Sequence, residues 1–285
     1  MKDSIAVLGG DLRQVYLAQL LHTDGWKVMT WGLEKTNAPF GVSFDQALCA
    51  GIIVLPLPVC RGDQLNLPLT DTQISCETLW RGLHPDQIIL GGSVGSISRH
   101  LKHQYDLEIW DYYDREEVQV ANAVPTAEGA IMRAMELSSS TLHGSHCLVV
   151  GYGRIGKILA HRLRALGVNV TVSARRQSDI AWIEAYGYQA IHTESISEEM
   201  GSYDLIFNTV PALVLTRSCL ERAKSSCILL ELASMPGGID TVAVKEYGLQ
   251  FAVERGLPGI VAPESAAKYI RDAIYHILNE QGEIV

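Results

Sequence analysis

The 285-residue sequence is short of basic charge, of paired cysteines and of long apolar runs, and each shortage closes off a class of function. Lys and Arg number 23 against 32 Asp and Glu, a formal net charge of −9. That balance repels phosphate backbones at long range and excludes a general nucleic-acid binder. No stretch approaches the roughly 20 consecutive apolar residues of a membrane span. Met1-Lys2-Asp3-Ser4 leads straight into a strand-like segment with no cleavable leader. The cysteines (Cys49, Cys60, Cys76, Cys147, Cys219 and Cys227) form no CxxC pair. A chain this long needs no covalent staples, so reduced thiols in a cytoplasmic protein are expected. Repeats and low-complexity tracts are missing too. What remains is ordinary globular composition, 47% hydrophobic and 19% charged, on a chain long enough for two domains.

Short β-branched runs alternate with amphipathic stretches, which predicts an α/β fold of two Rossmann-like, doubly wound lobes with parallel sheets. Strands are expected at 5–8, 26–31, 51–56 and 87–90, with a helix capped by Asp11 running to about His22. Residues 56–70, rich in proline and without periodicity, read as a surface loop. Pro125 interrupts the longest helical pattern, 116–139, so a new helix is expected to begin near Thr126. Further strands follow at 147–150, 168–173, 205–208, 227–231 and 250–253. Residues 1–120 are assigned to a substrate-side domain and 121–285 to a dinucleotide-binding domain, with the final helix, about 262–280, a natural crossing back to the first lobe.

The chemistry concentrates after the strand at 147–150. Gly151-Tyr152-Gly153-Arg154-Ile155-Gly156 is a GxGxxG turn between a strand and a helix. Gly151 permits the tight turn, Gly153 lets backbone approach a pyrophosphate, and Gly156 lets helix and strand pack closely. Free amides and the helix dipole then hold the anion. NAD enzymes place an acid about 20 residues further on for the ribose hydroxyls. This chain reads Ser173-Ala174-Arg175-Arg176 there, with no acid before Asp179. Two guanidiniums and a hydroxyl suit the 2′-phosphate of NADP better than NAD; the alternative is a pair of solvated helix-entry charges. Asn208, Thr209, Val210 and Pro211, and likewise Leu232 and Ala233 after Glu231, stand where apolar strands stop, the edge that holds the coenzyme in such folds. An ordinary loop entry shows the same pattern.

Several longer motifs accompany the glycine turn. They are Val7-Leu8-Gly9-Gly10-Asp11-Leu12-Arg13-Gln14, Pro125-Thr126-Ala127-Glu128-Gly129-Ala130, and the segments 208–215, 231–238 and 256–263, which read NTVPALVL, ELASMPGG and GLPGIVAP. On these the chain resembles the dipicolinate synthase A-subunit family of sporulating bacteria. The resemblance implies an oxidoreductase that works with a flavoprotein-like B subunit in the mother-cell cytoplasm. It implies conversion of dihydrodipicolinate to dipicolinate with NADP as hydride acceptor, and an architecture similar to the 2-hydroxyacid and alanine dehydrogenases.

Such a small dicarboxylate substrate needs cationic or amide donors and an acceptor for the departing proton. Gly10, Asp11, Arg13 and Gln14 form a second anion-binding candidate, with helix-opening amides and an arginine able to clamp a carboxylate; equally, Asp11 is a plain N-cap and Arg13 solvated. Asn122, Thr126 and Glu128 lie about the expected hinge, either on substrate or merely opening a helix. Glu231 and His143 are the candidates for the proton, against structural roles in a turn for each. His100 and His103 lack further ligands, so no metal is expected. Two other functions stay open: a regulatory or scaffolding protein that merely holds the nucleotide, and another 2-hydroxyacid-type dehydrogenase. A homo-oligomer is open as well.

Overall fold

Short apolar runs become parallel strands covered on both faces, and the polar residues that end them collect at the carboxyl edges of two sheets. The computed structural model describes residues 3–95 and 97–283. Met1 and Lys2, on which the expectation of no cleavable leader partly rests, lie outside them. The chain divides into two compact units, one running to Asn122 and resuming at Pro258, the other Ala123–Leu257.

The first unit contains β1 (Ser4–Leu8), α1 (Leu12–Thr23), β2 (Lys27–Trp31), α2 (Phe44–Leu48), β3 (Ile52–Val54), the hairpin strands β4 (Cys60–Arg61) and β5 (Gln64–Leu65), α3 (Cys76–Gly82), β6 (Ile88–Gly91), α4 (Ile97–Tyr105) and β7 (Ile109–Asp111). Its main sheet has the order β2-β1-β3-β6-β7, parallel throughout, so the winding reverses between β1 and β3. Leu17, Leu21, Ile270 and Ile274 belong to the core on one face; Leu79, Trp80 and Leu101 belong to the core on the other.

α5 (Glu116–Leu137) is a single helix with Pro125 inside it, so the expected restart near Thr126 does not occur. Proline removes only its own donation to the carbonyl of residue 121, and alanines 121, 123, 127, 130 and 134 around it are the strongest helix formers. Beyond α5 come β8 (His146–Val150), α6 (Arg154–Ala165), β9 (Asn169–Ala174), α7 (Gln177–Ala185), β10 (Gln189–His192), α8 (Ile196–Glu199), β11 (Leu205–Asn208), α9 (Arg217–Leu220), β12 (Ile228–Glu231), α10 (Thr241–Glu246), β13 (Gln250–Val253), α11 (Leu257–Val261) and α12 (Pro263–Glu280). The second sheet runs β10-β9-β8-β11-β12-β13, all parallel. Counted from β8 this is 3-2-1-4-5-6, the order of dinucleotide-binding folds, with its switch point between β8 and β11. The polar edge strand β10 escapes a search for apolar runs.

The cysteines correct the sequence reading. Cys60 and Cys76 form a disulfide, leaving Cys49, Cys147, Cys219 and Cys227 as thiols. A spacing of 16 residues carries no sign of proximity; the hairpin does, because the N–H of Cys76 donates to the carbonyl of Asp63 at its tip (2.8 Å). Among the described residues no helix is long and apolar enough to cross a membrane.

Candidate dinucleotide and substrate site

In the second unit the glycine turn is built as its spacing demands. Gly151 has φ of +99°, and a Cβ there would stand 2.7 Å from Thr209 Oγ1 and Val210 Cγ2. A Cβ on Gly156 would stand 2.1 Å from the carbonyl oxygen of Gly151, so only glycine lets α6 start this close to β8. Gly153 differs. It is the N-cap of α6 with no side-chain capping bond, and a Cβ on it would meet nothing within 4 Å. Arg154 and Ile155 follow in the first turn, and Lys157 lies over the Tyr152 ring at 5.3 Å. Uncapped amides, a helix dipole and open space together fit a pyrophosphate.

At the end of β9, Ser173 is fully buried and its Oγ has no hydrogen-bond partner, which costs free energy unless a ligand or water supplies one. Ala174 is buried behind it. Arg175 is exposed with no side-chain partner among the described residues, whereas Arg176 is ion-paired with Asp179 at 2.8 Å. The expected pair of free guanidiniums is therefore one free and one engaged, because the first acid after the strand falls three positions along α7 from Arg176. His192, which the sequence did not single out, holds the Arg175 main chain: its Nε2 donates to the Arg175 carbonyl (2.9 Å) while Nδ1 accepts from the N–H of Glu194.

Between β11 and β12 the polar residues are locked together. Buried Asn208 donates through Nδ2 to the Val210 carbonyl (2.9 Å) and to Glu231 Oε1 (2.7 Å). Thr209 Oγ1 donates to the Val150 carbonyl (2.8 Å), and Pro211 continues the exposed edge. Glu231, 3% exposed, also accepts from the N–H of Ala233 (3.0 Å) and of Gly238 (2.7 Å). Both its oxygens thus hold the turn at Ala233–Gly238, and the candidacy of Glu231 as proton acceptor gives way to a positioning role. Leu232 and Ala233 bury their side chains and shape the edge through backbone. Arg255, just past β13, was also missed: its Nε donates to the Ala233 carbonyl at 3.0 Å.

His143 is exposed before β8, with Nδ1 3.3 Å from the Leu166 carbonyl. It precedes the amino end of that strand, and β8 is five residues, about 17 Å, long. The glycine turn lies at the opposite edge, so His143 stands a strand length away from it.

In the first unit Gly10 (φ +86°) opens α1, and Asp11 caps it by accepting from the N–H of Arg13 (3.0 Å). Arg13 is neither solvated nor a free clamp. It is 5% exposed, it forks onto Asp11 with Nε and Nη2 at 2.9 and 2.8 Å, and Nη2 also donates to the Leu57 carbonyl. Burial lowers its pKa, yet the bonds and charge of Asp11 leave it raised above the ordinary value. Gly259, in the 256–263 motif, closes over this pair; a Cβ there would come 2.6 Å from Asp11 Oδ2. Gln14 is fully buried against Gly10, with its amide near the Tyr112 hydroxyl but closing no well-formed hydrogen bond; Asn66 Oδ1 also has no partner, while the Asn66 backbone carbonyl accepts from the N–H of Gly10.

The hinge candidates separate. Asn122 donates to the Tyr113 hydroxyl (3.2 Å) within the first unit. Thr126 is buried on α5, and Glu128 meets Arg162 of α6 at 3.1 Å, so its carboxylate is committed to helix packing.

Comparison with known proteins agrees with this geometry. Residues 4–113 match the N-terminal domain of the dipicolinate synthase A subunit, and residues 115–228 match the D-isomer specific 2-hydroxyacid dehydrogenase, NAD binding domain. The dipicolinate synthase A subunit of Bacillus subtilis is 29% identical over 287 residues, covering 97% of this chain and 96% of the relative. The crystal structure of the A subunit from Bacillus halodurans superposes with a TM-score of 0.89 at 27% identity, covering 98% of each chain. D-lactate dehydrogenase of Escherichia coli shares the fold alone, with a TM-score of 0.65 at 12% identity over 99% of this chain and 98% of that one. A nicotinamide dinucleotide turn on a parallel sheet and these matches along nearly the whole length make the chain an NAD(P)-dependent oxidoreductase that is similar, from end to end, to the dipicolinate synthase A subunits.

Proposed function

We propose that the chain oxidises dihydrodipicolinate to dipicolinate (pyridine-2,6-dicarboxylate) with NADP as hydride acceptor, together with a flavoprotein-like B subunit, in the mother-cell cytoplasm of a sporulating bacterium. One observation carries the choice of coenzyme: the unpaired Arg175 follows two residues after Ser173, whose Oγ has no partner, at the strand end where NAD enzymes keep a carboxylate. The amides at Gly153–Ile155 would take the pyrophosphate, Ser173 and Arg175 the 2′-phosphate, and the edge from Thr209 to Pro211 would flank the nicotinamide half. The bound coenzyme supplies the hydride acceptor.

The chain's own residues then position more than they react. Glu231 and Asn208 fix the turn beside the nicotinamide edge, and neither is free to move a proton. The ring loses one hydride to the coenzyme and one proton to water, and the aromatic stability gained makes the pair of losses downhill without a strong base. The first unit is the substrate side in this proposal, where the buried Gln14 amide, left short of well-formed hydrogen bonds, is the candidate group for a ligand and Arg13 only stiffens the turn.

Titrating the purified chain with NADP and with NAD, followed by melting temperature, tests the coenzyme; NADP is expected to stabilise at lower concentration. Equal responses would remove the 2′-phosphate assignment, and no response to either would remove the site. Pyridine absorbance formed by the chain alone and with its partner subunit tests the reaction.

A further inference from the structure

Four arginines of the second unit are paired with acids. Arg133 meets Glu254 (2.7 Å), Arg162 meets Glu128, Arg176 meets Asp179, and Arg217 meets Glu246 (2.6 Å). Arg255, like Arg175, has no acid partner among the described residues, although two acids stand near it. Glu254, its neighbour in sequence, is taken by Arg133, and Glu231 is filled by Asn208 and two backbone amides. A Cβ on Gly237 would lie 3.0 Å from Glu231 Oε2 and 3.4 Å from Arg255 Nη2, so the arginine borders the turn that Glu231 holds without pairing to it. Its one described bond, from Nε to the Ala233 carbonyl, fixes the guanidinium plane and leaves both Nη atoms without a partner among the described residues. A chain with a net charge of −9 has carboxylates to spare, yet no described one reaches this fork.

Position gives the fork its use. Neighbouring strands lie about 4.8 Å apart, so Arg255 beyond β13 stands about 14 Å along the carboxyl edge from the glycine turn beyond β8. Arg175, beyond β9, is about 5 Å to the other side. With the pyrophosphate at the glycine turn, the adenosine half runs toward Arg175 and the nicotinamide half toward β11 and β12, which brings its reactive end next to Arg255.

We propose that Arg255 is a substrate-binding residue that receives one carboxylate of a planar ring dicarboxylate on its two Nη atoms, beside the nicotinamide. This assignment rests on the proposed function and deepens it. A planar fork anchored at Nε matches a carboxylate in two parallel bonds and fixes the ring's orientation as well as its affinity.

Calorimetric titration of pyridine-2,6-dicarboxylate into the full-length chain saturated with NADP, both by itself and in complex with its partner subunit, tests the assignment. R255Q is expected to bind the dicarboxylate about 10-fold or more weakly, as loss of a charge-assisted pair demands, with NADP affinity unchanged within about twofold. R255K keeps the charge but loses the fork, and is expected between the two. In turnover the loss should appear in KM before kcat. If R255Q melts early for want of the Ala233 bond, the ranking of R255K against the parent decides. Dicarboxylate binding equal to the parent's in both variants would overturn the assignment; so would an equal loss of NADP affinity, or a parent that binds NADP but no dicarboxylate. A parent that binds neither ligand would overturn the proposed function first.

Discussion

The molecule contains the same local device twice, a strand, a glycine turn and a twelve-residue helix, and treats it in opposite ways. After β1 the helix start is closed: Asp11 caps it, Arg13 neutralises Asp11, and Gln14 folds over Gly10. After β8 the helix start is left open, with a glycine cap and no side chain on the amides. The dipole is similar in both, so what distinguishes an anion site from a structural turn is whether the chain supplies its own anion.

The largest test of that contrast is D11A. It strands a buried guanidinium and is expected to cost about 3–5 kcal/mol in chemical denaturation; a loss below about 1 kcal/mol would mean the first turn is not closed by this pair. Next, C76S opens the loop stapled to Cys60 and should cost about 3 kcal/mol, whereas substituting exposed Cys49 should cost almost nothing; thiol titration of the unreduced, denatured chain should find four thiols. Within the open turn, G156A pushes a methyl into the Gly151 carbonyl and should lower stability by about 1–3 kcal/mol. G153A, by contrast, should leave melting nearly unchanged and weaken the coenzyme. E231Q should cost about 2 kcal/mol by breaking a buried acceptor of three donors, while the folded variant keeps its rate within severalfold; a loss of orders of magnitude would restore Glu231 as a base. Smallest in stability is R175A, expected to weaken NADP about 10-fold and NAD not at all, as read by competition binding.

Much of the scaffold was readable because its signals are local. Strands such as Leu205–Asn208 and Ile228–Glu231 announce themselves as apolar runs ending in a polar residue, and the glycine spacing names its own mechanics. β10 was not readable, since a four-residue edge strand with only Ile191 buried carries no apolar run. Nor was the continuity of α5 through Pro125, where good helix formers on both sides outweigh one lost bond. At the candidate site, residue type alone did not tell which charges are already engaged. Glu231, Arg13, Arg176 and Glu128 all carry charges suited to ligands, and each proves to be answered by a partner 2 to 34 residues away, or by backbone amides.

Alone, the order of residues settled two parallel α/β sheets and a dinucleotide turn, because side-chain alternation and the steric needs of glycine act over a few neighbouring positions. Tertiary structure decided which charges are spent and which remain. Pairing depends on distance in space and on what else each acid already holds, and so Arg175 and Arg255 have no acid partner among the described residues while Arg13 has one.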